Sequence, residues 1–397
     1  MSNHPLTFLC VMAATKGLYA EPFMRQAKEL GCRLLVLTNA KALVYDWPRE
    51  LIDELYAVKD IFDPVDVLNT VSYIARHEPI DRIVGLGEYD IEIASALREH
   101  LRLPGMGLST SHYFRDKLAM RKRAQALGIP VPEFVHVLNY QAVGEFMHRV
   151  PGPWVLKPRT GASSLGIKKI DDPETLWRIL DTLGDQQSHH LLEQFVPGQV
   201  FHVDSIVDQR QVLFAQAHRY GTPILELHST GGVYTTRSLE RGTPDEVALQ
   251  AINRQVIEGL GLVEGVTHIE YIKSAADGRF YFLEASARVG AGMIEDIVEA
   301  SSGLNLWKEW AKIEIAQARE PYRMPKPRQD YAGVAICMTT TEHPDISGYA
   351  APGVRALEPK PYHAGVLIQS HDPREVEAKI QQYARRLDHD FLTPAHA

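Results

Sequence analysis

Two glutamates, Glu270 and Glu284, stand in a segment whose pattern predicts a β-hairpin. Runs rich in β-branched and aromatic residues flank Ala276-Asp277-Gly278, and a short loop ending in glycine suits a hairpin turn with Gly278 in the left-handed region. If the pairing is symmetric about Asp277, Glu270 lies directly opposite Glu284, about 5 Å away, where two like charges destabilise the pair. A cation between the two carboxylates would remove that conflict, so the spacing indicates a metal site.

Other polar side chains are expected on the same face of this hairpin. Because side chains alternate along a strand, Ser286 and Arg288 share a face with Glu284, and His268 joins them from the other strand. The apolar members of that face, nearer the turn, are expected to be Ile272, Phe280 and Phe282. The polar cluster resembles a Mg²⁺ site with an arginine beside it. The alternative is an edge hairpin with solvated acids.

Composition places the chain among globular proteins and argues against several functions. The 397 residues, 45% of them hydrophobic, suffice for two or three packed units. Acidic residues number 50 against 42 basic ones, and the lack of a basic block argues against nucleic-acid binding. Three distant cysteines without a CxxC pair argue against a disulfide framework or a zinc site. With no long apolar run and no signal-peptide features, we expect a cytoplasmic protein without a membrane segment.

The chain divides into three regions by pattern. Residues 6–104 alternate strands and helices, which predicts a Rossmann-like α/β domain over residues 1–109, with a parallel sheet covered by helices on both faces. A GxGxxG after the first strand is missing, which argues against a dinucleotide site there. An α+β domain is expected over 110–325, with a helix over 110–127 at its start. Two parts are expected within it, residues 110–195 and residues 196–325. A small α+β segment follows over 326–397.

Two lysines and a loop of small residues could bind phosphate. Lys157 ends an apolar strand, where a charge rarely stands without a partner. The loop 160–166 follows at once and contains Ser163 and Ser164; its small residues let backbone N–H groups turn toward an anion. Lys117 begins a helix. Taken alone, Lys117 would be interpreted as a solvated surface lysine, and the loop is only a weak signal because flexible turns of small residues are common.

Three further stretches could contact substrates. The run from Leu191 to Gly198 offers an apolar slot and an acceptor after a strand, which could hold a purine, although a plain strand and turn would look the same. The stretch 228–232, with His228 and Gly232, is expected to line a substrate entrance. Glu88 closes an N-terminal strand and could bind an amine. The alternative for the stretch 228–232 is an ordinary turn that contains glycines. The alternative for Glu88 is an acid that caps a helix.

Taken in order, these motifs resemble the ATP-grasp superfamily over nearly the whole chain. The matching stretches are Arg115-Asp116-Lys117, Lys157 with its loop, the run from Leu191 to Gly198, His268-Ile269-Glu270, and F-L-E-A-S-A-R-V-G-A-G. The resemblance implies an ATP-grasp fold in which ATP lies between two α+β subdomains. They would be a lid-bearing nucleotide subdomain, 110–195, and a metal-binding catalytic subdomain, 196–325. The N-terminal stretch and the texts R-D-K-x-x-M-R and A-R-V-G-A-G are most similar to L-amino-acid ligases and related carboxylate–amine ligases.

The resemblance also implies a role for each candidate residue. ATP would contact Lys117, Lys157, Ser163, Ser164, Glu193 and Val196. Mg²⁺ or Mn²⁺ would be held by Glu270, Glu284 and Ser286, and Arg288 would meet the reacting acyl phosphate. The substrates would contact Glu88, His228, Gly232 and His268. Two positions depart from the family pattern: Ser286 replaces the usual asparagine, and Val200 stands where many members have a ribose-binding acid.

The resemblance implies an ATP-dependent ligase whose substrates are small molecules, amino acids among them. The γ-phosphoryl group of ATP would pass to a carboxylate, and an amine would attack the resulting acyl phosphate. A lid over residues 118–193 would exclude water, and a homodimer is one candidate assembly. Two alternatives stay open. One is an ATP-grasp enzyme that uses another nucleophile or stops at phosphoryl transfer, and the other is a nucleotide-binding protein without turnover.

Overall fold

The structure is a computed structural model that describes residues 5–13, 19–162, 164–223, 225–227, 231–316, 321–358 and 360–392. Two of the predicted site residues, Ser163 and His228, lie outside these ranges. The described residues form one parallel sheet and two further sheets, with helices packed against them. Within these ranges, no helix is both long enough and apolar enough to cross a membrane.

The N-terminal sheet is parallel, as the alternation of strands and helices predicts. Its strands are β1 (Thr7–Met12), β2 (Arg33–Asn39), β3 (Glu54–Val58) and β4 (Arg82–Gly85), in the order β3-β2-β1-β4. Its helices are α1 (Glu21–Glu29), α2 (Pro64–Ile74) and α3 (Asp90–Leu101). Phe8 and Leu9 are both fully buried but belong to different core clusters, so apolar layers cover both faces of the sheet.

The helix predicted over 110–127 is interrupted, which corrects the sequence expectation. A short helix α4 (Leu108–Ser111) runs into a 3-10 turn, and a second helix, α5 (Lys117–Ala126), begins afterwards. Asp116 caps α5, because its side chain accepts a hydrogen bond from the backbone N–H of Leu118 at 2.9 Å. The break therefore places Lys117 at the first position of a new helix.

The second sheet belongs to the predicted lid and has the order β5-β8-β6-β7, with antiparallel neighbours. Its strands are β5 (Phe134–His136), β6 (Trp154–Pro158), β7 (Lys168–Ile170) and β8 (His190–Gln194). Helices α6 (Tyr140–Arg149) and α7 (Pro173–Leu183) cover one side. Trp154, Leu156 and Leu192 are buried together with apolar residues of both helices, so the lid has a core of its own.

The third sheet has eight strands in the order β13-β12-β9-β10-β11-β14-β16-β15. The strands that precede residue 326 are β9 (Gly198–Asp208), β10 (Gln211–Tyr220), β11 (Tyr234–Ser238), β12 (Gly265–Ser274) and β13 (Phe280–Ser286). The C-terminal strands are β14 (Tyr331–Met338), β15 (Val354–Ala356) and β16 (His363–Ser370). Because β14 pairs with β11, the strands of residues 326–397 continue the sheet that carries the hairpin acids.

The remaining helices cover this large sheet. They are α8 (Pro244–Leu260), α9 (Ile294–Ser302), α10 (Leu306–Ala316) and α11 (Pro373–Leu387). Val203 and Val207 of β9 point to the side on which Leu249 and Val256 of α8 are buried. Asp204, which alternates with Val203 along β9, is fully buried among polar side chains instead. One face of the sheet is therefore core, and part of the other is polar.

The hairpin of β12 and β13 confirms the opposed acids and corrects the face assigned to the aromatic residues. Glu270 pairs with Glu284, as symmetry about the turn predicts, and Gly278 has a φ of +69°. A bulge then shifts the register, so that Tyr271 pairs with Phe282. The expectation that Phe280 and Phe282 share the face of the acids is wrong, because both pack with Tyr271 in the core. An extra residue in one strand turns the side chains beyond it to the other face.

Candidate active site

The two opposed glutamates each accept a hydrogen bond from a different element. Glu284 Oε1 accepts from Lys117 Nζ at 2.7 Å, and Glu270 Oε1 accepts from the hydroxyl of Tyr220 at 3.0 Å. Both side chains remain 24% exposed. Together they offer carboxylate oxygens that solvent can still reach, next to one ammonium group.

Lys117 is buried and paired, so the alternative of a solvated surface lysine is wrong. Its side chain is 4% exposed, and besides Glu284 it donates to the carbonyl oxygen of Gly161 at 2.7 Å. Its backbone N–H donates to the carbonyl of Arg159 at 2.8 Å. The start of α5 is thereby attached both to the end of β6 and to the loop that follows it.

Lys157 has the partner that its place in an apolar strand predicts. Its ammonium group pairs with Glu193 Oε1, while Arg121 Nε donates to Glu193 Oε2 at 3.0 Å. Burial alone would raise the pKa of Glu193, but Arg121 and Lys157 hold that pKa below its ordinary value. Val196 follows in the connection between β8 and β9, which joins the lid to the large sheet.

The loop of small residues presents its carbonyl groups to two cations. Gly161 binds Lys117, and the carbonyl of Thr160 accepts from Arg115 Nη2 at 2.9 Å. Further along the loop, Ser164 has a φ of +56° and Gly166 a φ of +74°. Two residues with left-handed backbone conformations within three positions turn the chain sharply.

Glu88 reaches into this cluster from the N-terminal domain. Its Oε2 accepts from Arg288 Nε at 2.7 Å and from the hydroxyl of Ser286 at 2.8 Å, and its Oε1 pairs with Arg115. Burial alone would raise the pKa of Glu88, but Arg288 and Arg115 outweigh it and lower that pKa to about 2. Tyr89, and not Glu88, occupies the N-cap position of α3, so the alternative of a helix-capping acid does not hold for Glu88.

A second buried acid fixes the backbone around Glu88. Asp90 Oδ2 accepts from the N–H of Gly87 at 2.6 Å, and its Oδ1 accepts from the N–H of Ala13 at 2.7 Å. Burial raises the pKa of Asp90 to about 7. The ends of β1 and β4 are thereby joined at the carboxyl edge of the parallel sheet, where ligands of such sheets commonly bind.

His268 supports Glu270 from the side. Its Nε2 lies 3.7 Å from Glu270 Oε1, and its Nδ1 lies 2.8 Å from Asp204 Oδ1. Burial alone would lower the pKa of His268, but Asp204 and Glu270 outweigh it and raise that pKa to about 9. A charged imidazole therefore stands between two carboxylates.

Two family models match the chain. Residues 150–296 match the ATP-grasp domain, and residues 24–105 match the ATP-grasp N-terminal domain. The chain is an ATP-grasp protein. It is 24% identical over 287 residues to the L-arginine-specific L-amino acid ligase of Bacillus subtilis, covering 71% of this chain and 68% of the relative. It is 29% identical over 108 residues to a D-alanine–D-alanine ligase of Hydrogenovibrio crunogenus, covering 27% of this chain and 34% of the relative.

Solved structures share the fold of this ATP-grasp protein over almost its full length. An L-amino acid ligase from Bacillus licheniformis has a TM-score of 0.71 at 19% identity, covering 96% of this chain and 97% of the other. An N5-carboxyaminoimidazole ribonucleotide synthetase from Thermus thermophilus also has a TM-score of 0.71, at 16% identity, covering 99% and 100%. The predicted ATP-grasp fold is confirmed.

The ATP-grasp site brings together most of the predicted residues. Lys117 donates to Glu284, which is paired with Glu270 across the hairpin. Ser286 and Arg288 both donate to Glu88, and Lys157 pairs with Glu193. Gly232 lies farther along the sheet, in the segment that leads into β11, and has a φ of +129°. Two residues later, the ring of Tyr234 packs against Tyr220 at 5.9 Å.

Several residues of the site escape sequence reasoning. They are Arg115, Arg121, Asp204 and Tyr220, whose partners come from distant elements. The first two stand in the R-D-K-x-x-M-R text that carries the family resemblance. For Asp204, the signal is a period of two in F-H-V-D, which places His202 and Asp204 on one face of β9.

The hairpin acids of this ATP-grasp protein fit a divalent cation. Mg²⁺ prefers carboxylate oxygens, and two carboxylates at paired strand positions need a positive charge between them. Lys117 supplies part of that charge at Glu284. The hydroxyl of Ser286 is directed at Glu88, so the contribution of Ser286 to a metal site stays a prediction.

Proposed function

We propose that the protein is an ATP-dependent carboxylate–amine ligase that joins two small substrates through an acyl phosphate. The observation that carries the proposal is that Lys117 donates to Glu284, that Glu284 is paired with Glu270 across the hairpin, and that the charge of Arg288 acts on both carboxylates. A protein that only binds nucleotide has no need of an arginine beside the metal-binding acids. The similarity to L-amino acid ligases supports the same conclusion.

ATP would lie between the lid sheet and the large sheet. Its phosphates would replace the carbonyl of Gly161 as a partner of Lys117 and would approach Lys157 and the loop 160–166. Glu270 and Glu284 would hold Mg²⁺ or Mn²⁺, which when bound neutralises charge on the phosphates. Ser163 and Ser164 would add hydroxyl donors.

The reaction would run in two steps. An oxygen of the substrate carboxylate attacks the γ-phosphorus, the bond to the β-phosphate oxygen breaks, and ADP leaves. The amine of the second substrate then attacks the acyl carbon, the carbon–oxygen bond breaks, phosphate leaves, and the nitrogen releases a proton. Arg288 would stabilise the charge of the phosphoryl group in both steps, and donors of this kind are each worth on the order of 3 kcal/mol.

Amino acids are the substrates that we propose. Glu88 stands beside Arg288, so a carboxylate bound by the arginine and an ammonium group bound by the glutamate could belong to one amino acid. Gly232 and His228 would line the entrance to this site. His268 would act through Glu270, because its two ring nitrogens face Asp204 and Glu270. A cytoplasmic location, where ATP is abundant, is part of the proposal.

A screen for phosphate release tests the proposal. The protein is incubated with ATP, Mg²⁺ and pairs of amino acids or small carboxylates, and active pairs are analysed by mass spectrometry. We expect phosphate release that depends on a carboxylate, and an amide product only when an amine is present. Turnover that yields a phosphorylated or carboxylated product instead would assign another ATP-grasp reaction. Nucleotide binding without turnover for any pair would contradict the ligase.

A further inference from the structure

A single buried carboxylate organises three histidines next to the proposed metal site. Asp204 Oδ2 lies 2.7 Å from His202 Nδ1 and 3.1 Å from His218 Nδ1, while Oδ1 lies 2.8 Å from His268 Nδ1. The three histidines come from the adjacent strands β9, β10 and β12. Asp204, His202 and His218 have no exposed surface, and His268 is 8% exposed.

Two side-chain contacts of Glu270 rest on this cluster. His268 Nε2 lies 3.7 Å from Glu270 Oε1, and the same oxygen accepts from the hydroxyl of Tyr220 at 3.0 Å. The ring of Tyr220 in turn packs against His202, with centroids 4.7 Å apart. The position of Glu270 therefore depends on residues that Asp204 holds.

The hydrogen bonds around Asp204 also fix how two of the rings are oriented. His202 is held at both nitrogens, because its Nε2 lies 2.8 Å from Thr236 Oγ1. Burial lowers the pKa of His202 to about 4, so this ring is neutral near pH 7. Because His268 Nδ1 lies against Asp204, the other ring nitrogen, Nε2, faces Glu270.

We propose that Asp204 is a positioning residue for Glu270, acting through His268 and through the ring packing of His202 on Tyr220. The proposal rests on the proposed function, in which Glu270 is a ligand of the divalent cation. Carboxylates that bind metal ions are themselves held by hydrogen bonds, and loss of such an outer partner typically weakens metal binding or activity about 10- to 100-fold. Asp204 would thus set metal affinity without touching metal or substrate.

Three side chains of this cluster, His202, Asp204 and His218, are close enough together to be considered as ligands of a transition metal. A tetrahedral ion with bonds of about 2.0–2.1 Å would hold its ligand atoms roughly 3.3 Å apart. His202 Nδ1 and Asp204 Oδ2 are 2.7 Å apart, which is the length of a direct hydrogen bond. The geometry therefore favours a hydrogen-bonded cluster over a second metal site.

Asp204→Asn and His268→Gln test the inference, with Tyr271→Phe as the matched control. Tyr271 stands beside Glu270 on β12 but faces the opposite side, where its hydroxyl donates to Asn253 Oδ1 at 3.0 Å. Mn²⁺ binding in the presence of ADP is measured by titration with electron paramagnetic resonance, and the melting temperature is recorded for each protein. We expect 10- to 100-fold weaker Mn²⁺ binding in the first two variants. Tyr271→Phe should change only the melting temperature.

Glu270→Gln separates failure of this inference from failure of the proposed function. If Glu270→Gln leaves Mn²⁺ binding unchanged, the metal assignment itself is wrong and the positioning role falls with it. If Glu270→Gln weakens Mn²⁺ binding but neither folded Asp204→Asn nor folded His268→Gln does, the positioning role is overturned. Stoichiometric zinc in the purified protein, lost in Asp204→Asn, would also overturn it in favour of a second metal site. His268→Gln keeps the test decisive should Asp204→Asn not fold.

Discussion

Lys117 Nζ lies 2.7 Å from Glu284 Oε1, although 167 positions separate the two residues in the chain. The same ammonium group donates to the carbonyl of Gly161 in the lid loop. One side chain therefore connects the helix α5, the lid and the hairpin acids. An anionic nucleotide that enters between lid and hairpin must share this ammonium group with Glu284.

Replacement of Lys117 by methionine should weaken nucleotide binding. A hydrogen bond to a charged group contributes about 1.5–3 kcal/mol, so we expect ADP to bind roughly 10- to 150-fold more weakly. Isothermal titration calorimetry with ADP measures this. Lys122→Met, at an exposed position of the same helix, is the matched control and should bind ADP normally. Equal affinities for the two variants would remove Lys117 from the nucleotide site.

Glu284→Gln should abolish ATP turnover while the protein remains folded. The amide keeps the shape of the side chain but lacks the charge that would attract a divalent cation. We expect a rate at least about 100-fold lower, measured as phosphate release at saturating Mg²⁺. Glu258→Gln, in an exposed turn of α8, should be fully active. A folded Glu284→Gln protein with normal turnover would contradict the metal assignment.

An acyl phosphate predicts a specific fate for the oxygen atoms of the substrate. When the carboxylate is labelled with ¹⁸O, one labelled oxygen should appear in the released phosphate, because the carboxylate oxygen bonded to phosphorus leaves with it. Mass spectrometry of the phosphate measures the transfer. Unlabelled phosphate at full product yield would rule the acyl phosphate out, even if an amide is formed.

The side chain of Ser286 should affect the affinity for Mg²⁺ without being essential for catalysis. Ser286→Asn restores the amide oxygen that the family usually has, and we expect it to lower the Mg²⁺ concentration needed for half-maximal rate. Ser286→Ala should raise that concentration modestly, since Glu270 and Glu284 remain. Rates are measured against Mg²⁺ at saturating substrates and against substrate at saturating Mg²⁺.

The hydrogen bond from Ser286 to Glu88 suggests the competing result. If the hydroxyl serves mainly to hold Glu88 beside the substrate, Ser286→Asn should raise the KM of the substrate and leave the Mg²⁺ curve unchanged. A metal curve that neither variant moves would take Ser286 off the list of metal ligands.

Glu88 should contribute stability that is lost in acid. Its pKa is about 2 in the folded protein, below the ordinary value of 4.5, so the contribution is present above about pH 4.5 and disappears as the pH falls toward 2. We expect Glu88→Gln to lower the free energy of unfolding by up to about 3 kcal/mol at pH 7 and by much less near pH 3. Urea unfolding at several pH values measures the difference. A gap from the wild type that stays constant down to pH 3 would contradict the assigned cause.

The sequence predicts the hairpin of the two opposed acids well because the pairing of Glu270 with Glu284 follows from local alternation and one turn. The bulge beyond these residues escapes prediction, since the extra residue Leu283 continues an unbroken apolar run and gives no local signal. Lys117 is recognised through its motif, but its burial is not, because its partners stand 44 and 167 residues away. Local patterns determine elements, whereas long-range contacts decide which side chains meet.

The cluster around Asp204 also could not be predicted from local patterns alone. Its partner His202 is two positions away, but the third histidine, His268, is 64 positions away on another strand. The joining of β11 to β14 likewise brings together stretches on either side of the hairpin and three helices. Sequence patterns predict each strand of such a pair more readily than the pairing. They therefore predict residues 326–397 as a segment of their own, whereas the strands of this segment continue the large sheet.

The pairing of β11 with β14 has a consequence for synthesis of the protein. β11 is made long before β14, so a growing chain carries β11 with one edge uncovered until residues 331–338 have emerged from the ribosome. An uncovered strand edge is a template for pairing with other chains. Chains that stop before Tyr331 should therefore aggregate rather than accumulate as shorter soluble proteins, and slow translation between the two strands should increase that loss.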